Sequence, residues 1–181
     1  MAPHSDELEQ ARNAYISSLS ETMEMYGLSP SMGRLFGIMF FHDEPMTLDD
    51  MRSLTGMSKT SMSTGIRTLS QLKLVHKKWQ KGVRKDLYVA EHDQFRSFLD
   101  FFAHLWEKEI QINQKPLLET EIRLQENLKQ QNCSEEEQIQ IKRDLEKLYK
   151  AKQYYAWLGE LVEKFKSGDI FNYVPVNEDD L

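Results

Sequence analysis

From Thr55 to Ala90 the chain carries eight basic side chains, Lys59, Arg67, Lys73, Lys77, Lys78, Lys81, Arg84 and Lys85, against one acid, Asp86. That is a net of +7 within a chain of net charge −6, so the remaining residues carry −13. Hydroxyls interleave with the first of these cations, at Ser58, Thr60, Ser61, Ser63 and Thr64. Ammonium and guanidinium groups with hydroxyls between them can do one kind of chemistry well, the capture of phosphate oxygens. A polyanion would be drawn to this stretch and repelled by the rest of the protein. The distribution of charge therefore outweighs its sum, and double-stranded DNA is the implied partner.

Covalent chemistry has no comparable carrier. His42-Asp43-Glu44 could suggest acid–base work, but it stands beside Pro45 where a helix should end, which makes it a solvated loop. No glycine-rich phosphate loop and no G-x-S-x-G nucleophile motif occurs. The five histidines, His4, His42, His76, His92 and His104, make no pair four residues apart. With a lone Cys133 they build no structural zinc site. Cys133 cannot close an internal disulfide and has no basic neighbour to activate it, which fits a reducing compartment. The expectation is a non-enzyme without metal or cofactor. No charged leader precedes an apolar run, and no apolar stretch approaches about 18 residues, so a cytoplasmic protein with no membrane partner is expected.

The elements that must position the cations can be read from periodicity. Leu8, Ala11, Tyr15, Leu19, Met23 and Tyr26 recur at helical spacing and predict a first helix ended by Gly27. Ser29-Pro30 opens a second helix, apolar almost all round and therefore expected to be buried. Thr47, with Asp50 at the capping-box position, starts a short third helix whose inner side is read as Leu48, Met51 and Leu54. Gly56 supplies a turn and Ser58 caps a fourth helix reaching about Leu72. Short helix, glycine turn and capped helix form a helix-turn-helix signature. In the fourth helix Met62, Ile66 and Leu69 share one face, and Lys59, Thr60, Ser63, Thr64 and Arg67 share the other. Gly65 allows close backbone approach there.

After Leu72 the period changes to two, Gly82 marks a turn, and Leu87, Tyr88 and Val89 give a return strand. This hairpin holds Lys77, Lys78, Lys81, Arg84 and Lys85 and would be the wing. Helical spacing resumes at about Asp93 and runs to Gln130, with Phe95, Phe98, Phe102 and Trp106 on one face; Pro116 should kink or interrupt it. Ser134 and Glu137 cap a last helix striped by Ile141, Leu145, Leu148, Tyr155, Leu158, Val162 and Phe165 and closed by Gly168.

The fold class expected is mostly α: a winged helix-turn-helix domain flanked by N- and C-terminal dimerisation helices. The boundaries are residues 1–28 for the N-terminal helix, 29–91 for the DNA-binding domain, 92–168 for the long C-terminal helices, and 169–181 for an acidic tail. The DNA-facing set is Ser58, Lys59, Thr60, Ser61, Ser63, Thr64, Arg67, Lys77, Lys78, Lys81, Arg84 and Lys85.

Several of these runs resemble the GbsR-type regulators, a branch of the MarR-like winged-helix repressors. They are Pro45–Arg52 (PMTLDDMR), Met57–Leu69 (MSKTSMSTGIRTL), Ser31–Met39 (SMGRLFGIM), Lys81–Lys85 (KGVRK) and Phe101–Glu109 (FFAHLWEKE). The resemblance spans about Ala14 to Ile122 and is weak after Gln130. It implies a homodimeric repressor of genes for osmoprotectant uptake or synthesis, with a quaternary-ammonium effector such as choline. An aromatic cage is the natural host for such a cation. The aromatic candidates are Tyr26, Phe36, Phe40, Phe98, Phe102 and Trp106, each also readable as core or dimer-interface packing. A protein–protein adaptor on a winged-helix scaffold is the alternative function.

Overall fold

The structure, a computed structural model, describes residues 3–130 and 133–176. The chain divides into two compact units, Met1–Phe98 and Leu99–Leu181.

In the first unit, helix α1 (Pro3–Met25) lies against α2 (Pro30–Phe40). Ser29 caps α2 by accepting from the Met32 amide, and Pro30 begins it. Its apolar sequence produces the expected burial: Leu35, Phe36 and Met39 are all enclosed. The contact with α1 depends on two glycines one turn apart. A Cβ on Gly33 would lie 2.7 Å from the Ser20 Cα, and one on Gly37 would lie 3.0 Å from the Ile16 Cγ2. The face that α1 buries is therefore Ile16 and Met23. The predicted stripe differs: Leu8, Ala11, Tyr15 and Tyr26 are exposed. A lone helix pattern cannot say which of two apolar edges meets its neighbour, and here the glycines decide.

Helix α3 (Leu48–Thr55) begins with the predicted capping box, Thr47 with Asp50, and ends at Gly56 in the left-handed region with φ 68°. Met51 is fully buried, but Leu54 is exposed, against expectation. Two turns of helix leave room for few inward positions, and Leu54 falls on the open side. Helix α4 (Lys59–Gln71) follows, capped by Ser58. Strands β1 (Val75–Lys78) and β2 (Leu87–Ala90) pair antiparallel with Val75 opposite Ala90 and Lys78 opposite Leu87. Met46 adds an isolated antiparallel bridge to Tyr88, with both backbone hydrogen bonds at 2.9 Å. That bridge ties the hairpin to the segment just before α3.

In the second unit, α5 (Gln94–Leu128) and α6 (Glu135–Ser167) form a hairpin. Pro116 lies inside α5 without interrupting it. Leu99, Ala103, Val162 and Phe165 make its core, with Phe102, Trp106, Ile110 and Leu161 packed around them. Cross-helix pairs run antiparallel along it: Glu107 with Lys166, and Glu121 with Lys152 at 2.8 Å. Ser134 and Glu137 form the predicted capping box of α6, and Gly168 ends it with φ 77°. A 3-10 turn at Asp169–Asn172 then returns Ile170 and Phe171 to the same core, so packing continues past Gly168. The acidic end, residues 177–181, lies outside the described residues.

The predicted face of α5 needs correction. Phe95 and Phe98 are exposed, whereas Leu99, Phe101 and Ala103 are buried. Two helices bury one side of each other, and the apolar residues of other faces stay uncovered within a single chain. Leu105, Ile112, Leu118 and Ile122 on α5, and Tyr149, Tyr154 and Trp157 on α6, remain exposed for that reason. Among the described residues, no helix is long and apolar enough to cross a membrane.

Candidate nucleic-acid interface

Helix α4 presents two faces of opposite character. Met62, Gly65, Ile66 and Leu69 are buried. Lys59, Thr60, Ser63, Thr64 and Arg67 are all exposed. Gly65 belongs to the inner face: a Cβ there would meet Leu35 and Met32 of α2 at 3.4 and 3.7 Å. Its close approach is thus to protein and not to a ligand. The Ser58 and Ser61 hydroxyls are exposed but already joined at 2.9 Å, and Ser58 also accepts from the Ser61 amide. These two serines shape the start of the helix, which leaves the other hydroxyls free to face a partner.

The hairpin stands beside this helix. A groove of about 420 Å³ lies between them, lined by Ser63, Arg67, Ser70 and Gln71 from α4 and by Lys77 and Tyr88 from the strands. Arg67 therefore points outward and shares its groove with the wing. Lys78, Lys81, Arg84 and Lys85 are exposed on the wing as well.

The cations are not equivalent. The Lys77 ammonium meets the Asp86 carboxylate at 2.7 Å, and Lys85 meets Asp49 of α3 at 2.8 Å. Each hydrogen bond holds its lysine above the ordinary ammonium range, and the Lys85 ammonium holds the Asp49 carboxyl below the usual carboxylate range. Asp50 is likewise held low, by the Thr47 hydroxyl and amide of the α3 cap. Among the described residues, Lys59, Arg67, Lys78, Lys81 and Arg84 have no ion-pair partner. Five uncompensated cations on one helix and one hairpin are what a phosphate backbone requires.

Sequence reasoning missed three parts of this surface. Trp79 is 81% exposed on the wing, although an aromatic ring set between Lys78 and Lys81 was a usable signal. Gln71 continues the Arg67 face one turn on and lines the groove. Asp49 lies in the first turn of α3, and nothing local in the sequence links it to Lys85.

The aromatic candidates fall in both units. In the first, Phe36 is buried with its ring tilted against Phe40 at 6.3 Å, and Phe40 also meets Tyr15, Phe41 and His92. Tyr26 and Phe98 are exposed there. In the second, the Trp106 ring lies 5.4 Å from Phe102 and 5.0 Å from Phe165, tilted against both. Among the described residues, no group of His, Cys, Asp or Glu could hold a metal ion.

Comparison with known proteins fits this geometry. Residues 94–172 match the family model for the C-terminal helical hairpin of GbsR family transcriptional regulators, the same span as α5, α6 and the closing turn. The chain is 43% identical over 173 residues to the HTH-type transcriptional repressor GbsR of Bacillus subtilis (strain 168), covering 93% of each protein. The chain belongs to the GbsR family of transcriptional regulators. A second member, the HTH-type transcriptional repressor OpcR of the same organism, is 34% identical over 94% of this chain and 92% of its own length. A crystal structure of a transcriptional regulator, 14% identical, aligns over 87% of this chain and 99% of that one with a TM-score of 0.50, which reports shared fold. Family membership and the outward face of α4 make this GbsR-family chain a DNA-binding regulator.

Proposed function

We propose that the chain is a homodimeric, sequence-specific repressor that lays α4 in the major groove of an operator and its hairpin along the adjacent backbone or minor groove. The observation that carries this is the shared groove of Arg67 and Lys77, on a surface where five cations, Arg67 among them, have no ion-pair partner among the described residues. A helix with small hydroxyls and no acid on its outer face fits a major groove roughly 12 Å wide. Dimerisation is supported by the apolar side chains left uncovered on α1, α5 and α6. Two copies would address a pseudo-palindromic site with half-sites about one helical turn apart.

A mobility shift with mixed genomic fragments, followed by mapping of bound sites, tests the reading. Retarded fragments clustering upstream of particular genes support it; no retardation at low salt would favour an adaptor built on the same scaffold. Lys81→Ala should flatten the dependence of log K on log salt by about 0.9 for the one phosphate contact it removes. An unchanged slope would dismiss Lys81 from the backbone contacts.

The genes controlled are proposed to be those of osmoprotectant uptake or synthesis, with a quaternary-ammonium effector. Family membership supports this reading, and aromatic ring faces are the natural host for such a cation. Trp106 and Tyr26 are the better candidates of the six, because each ring combines an apolar body with a polar edge. A calorimetric titration of folded protein with choline should give saturable heat, weakened by Trp106→Leu. No heat with choline or betaines would remove this class of effector.

A further inference from the structure

The salt bridge between Asp49 and Lys85 joins two elements that must both lie close to DNA if the proposed DNA binding is right. Asp49 is in the first turn of α3, and Lys85 is in the wing. Thirty-six residues separate them, and both side chains are more than half exposed, at 62% and 65%. The other wing pair, Lys77 with Asp86, is internal to the hairpin and shapes it. Within its own helix Asp49 makes a longer, exposed ion pair with Arg52. The α3 cap is already complete in Thr47 and Asp50, whose carboxylate accepts from both the Thr47 amide and hydroxyl. Around Asp49 stand Lys85 at 2.8 Å, Arg52 at 3.8 Å and the neighbouring Asp50.

We propose that Asp49 is an affinity-determining residue of the DNA interface, a carboxylate that occupies Lys85 in place of backbone phosphate. This rests on the DNA-binding reading and says which of the wing's cations is withheld from it. An exposed ion pair is weak, so a phosphodiester can displace the carboxylate. The displacement is an exchange: Lys85 releases a condensed cation from DNA, while the freed Asp49 takes one up. Lys85 then adds almost nothing to the net counterion release that drives binding. Lys59, Arg67, Lys78, Lys81 and Arg84 bear no such cost. The arrangement lowers grip on any duplex without touching base readout, which keeps a regulator from being trapped on the excess of non-specific sites.

The test uses the full-length chain and a mixed-sequence duplex, with affinity measured against salt. Asp49→Asn should tighten binding about two- to fivefold at low salt, the size expected for freeing one exposed pair. It should also steepen the salt slope by about 0.9, one additional phosphate contact. In a Lys85→Ala background the same substitution should leave the slope unchanged, because no lysine remains to be released. Asp49→Ser, also suited to a first helical turn, should behave as Asp49→Asn does and guards against a fold-specific artefact. An unchanged slope for both single variants, or an equal increase in the Lys85→Ala background, would overturn the role of Asp49 while leaving DNA binding intact. Failure of the unsubstituted chain to bind any duplex at low salt would overturn both.

Discussion

Replacing Gly33 with alanine will lower the stability of the N-terminal unit by about 1–3 kcal/mol, and Gly33→Val will lower it further. The new Cβ would stand 2.7 Å from the Ser20 Cα and 3.0 Å from the Ser20 carbonyl oxygen. Those are backbone atoms, so relief requires α1 and α2 to move apart. Separation would in turn strain the Ser20 hydroxyl bond to the Pro30 carbonyl, 3.0 Å long, and open the enclosure of Ile16 and Met23. The opposing term is the gain in helix propensity from Gly to Ala, about 1 kcal/mol. At Gly33 the clash wins. At Gly37 the Ile16 Cγ2, Cα and Cβ stand at 3.0, 3.2 and 3.3 Å, so the helices must yield by a few tenths of an ångström and the cost is smaller than at Gly33. At Gly65 the nearest is the Leu35 Cδ2 at 3.4 Å, an ordinary contact, and propensity should win. Urea unfolding should therefore rank the midpoints Gly33→Ala below the unsubstituted chain and Gly65→Ala at or above it. Equal midpoints for the two variants would mean that the helices are not held in van der Waals contact at Gly33.

What is legible in the sequence depends on how far apart the interacting residues lie along the chain. Caps announce themselves because a hydroxyl or carboxylate satisfies amides only a few residues away. Thr47 with Asp50, Ser58, and Ser134 with Glu137 were therefore legible, and so was the helix-turn-helix they frame. The inner and outer faces of α4 were legible for a similar reason, since Met62, Ile66 and Leu69 leave the other side to Lys59, Ser63 and Arg67. Contacts between distant segments were not. Asp49 meets Lys85 across the chain, and Met46 bridges Tyr88, with no local pattern to mark either. The end of α4, read at about Leu72, falls at Gln71 with Leu72 as its cap, and no glycine marks it. Lys73 takes the left-handed conformation, φ 58°, at a place where glycine is the usual signal. Hydrophobic stripes misled where an apolar edge stays exposed, as at Leu8, Leu54 and Phe98.

Arg67→Ala will cost about 1–3 kcal/mol on operator DNA and less on a mixed-sequence duplex at the same salt. Arg67 lies on α4 opposite the buried Met62, Ile66 and Leu69, so substitution leaves the core untouched. Its guanidinium has no ion-pair partner among the described residues and faces the groove shared with Lys77 and Tyr88. A planar fork can pair bidentately with guanine O6 and N7, which a point charge cannot. Lys77 cannot take over the task, because its ammonium is a point charge without a planar fork and it extends from a strand. Arg67→Lys separates charge from geometry: it should restore most of the affinity for mixed sequence and little of the preference for operator. Fluorescence anisotropy with the two duplexes, at matched salt, gives both numbers for each variant. A preference ratio that stays constant from arginine to lysine to alanine would assign Arg67 to the phosphates. Discrimination would then have to come from Lys59, from the hydroxyls, or from the deformability of the site itself.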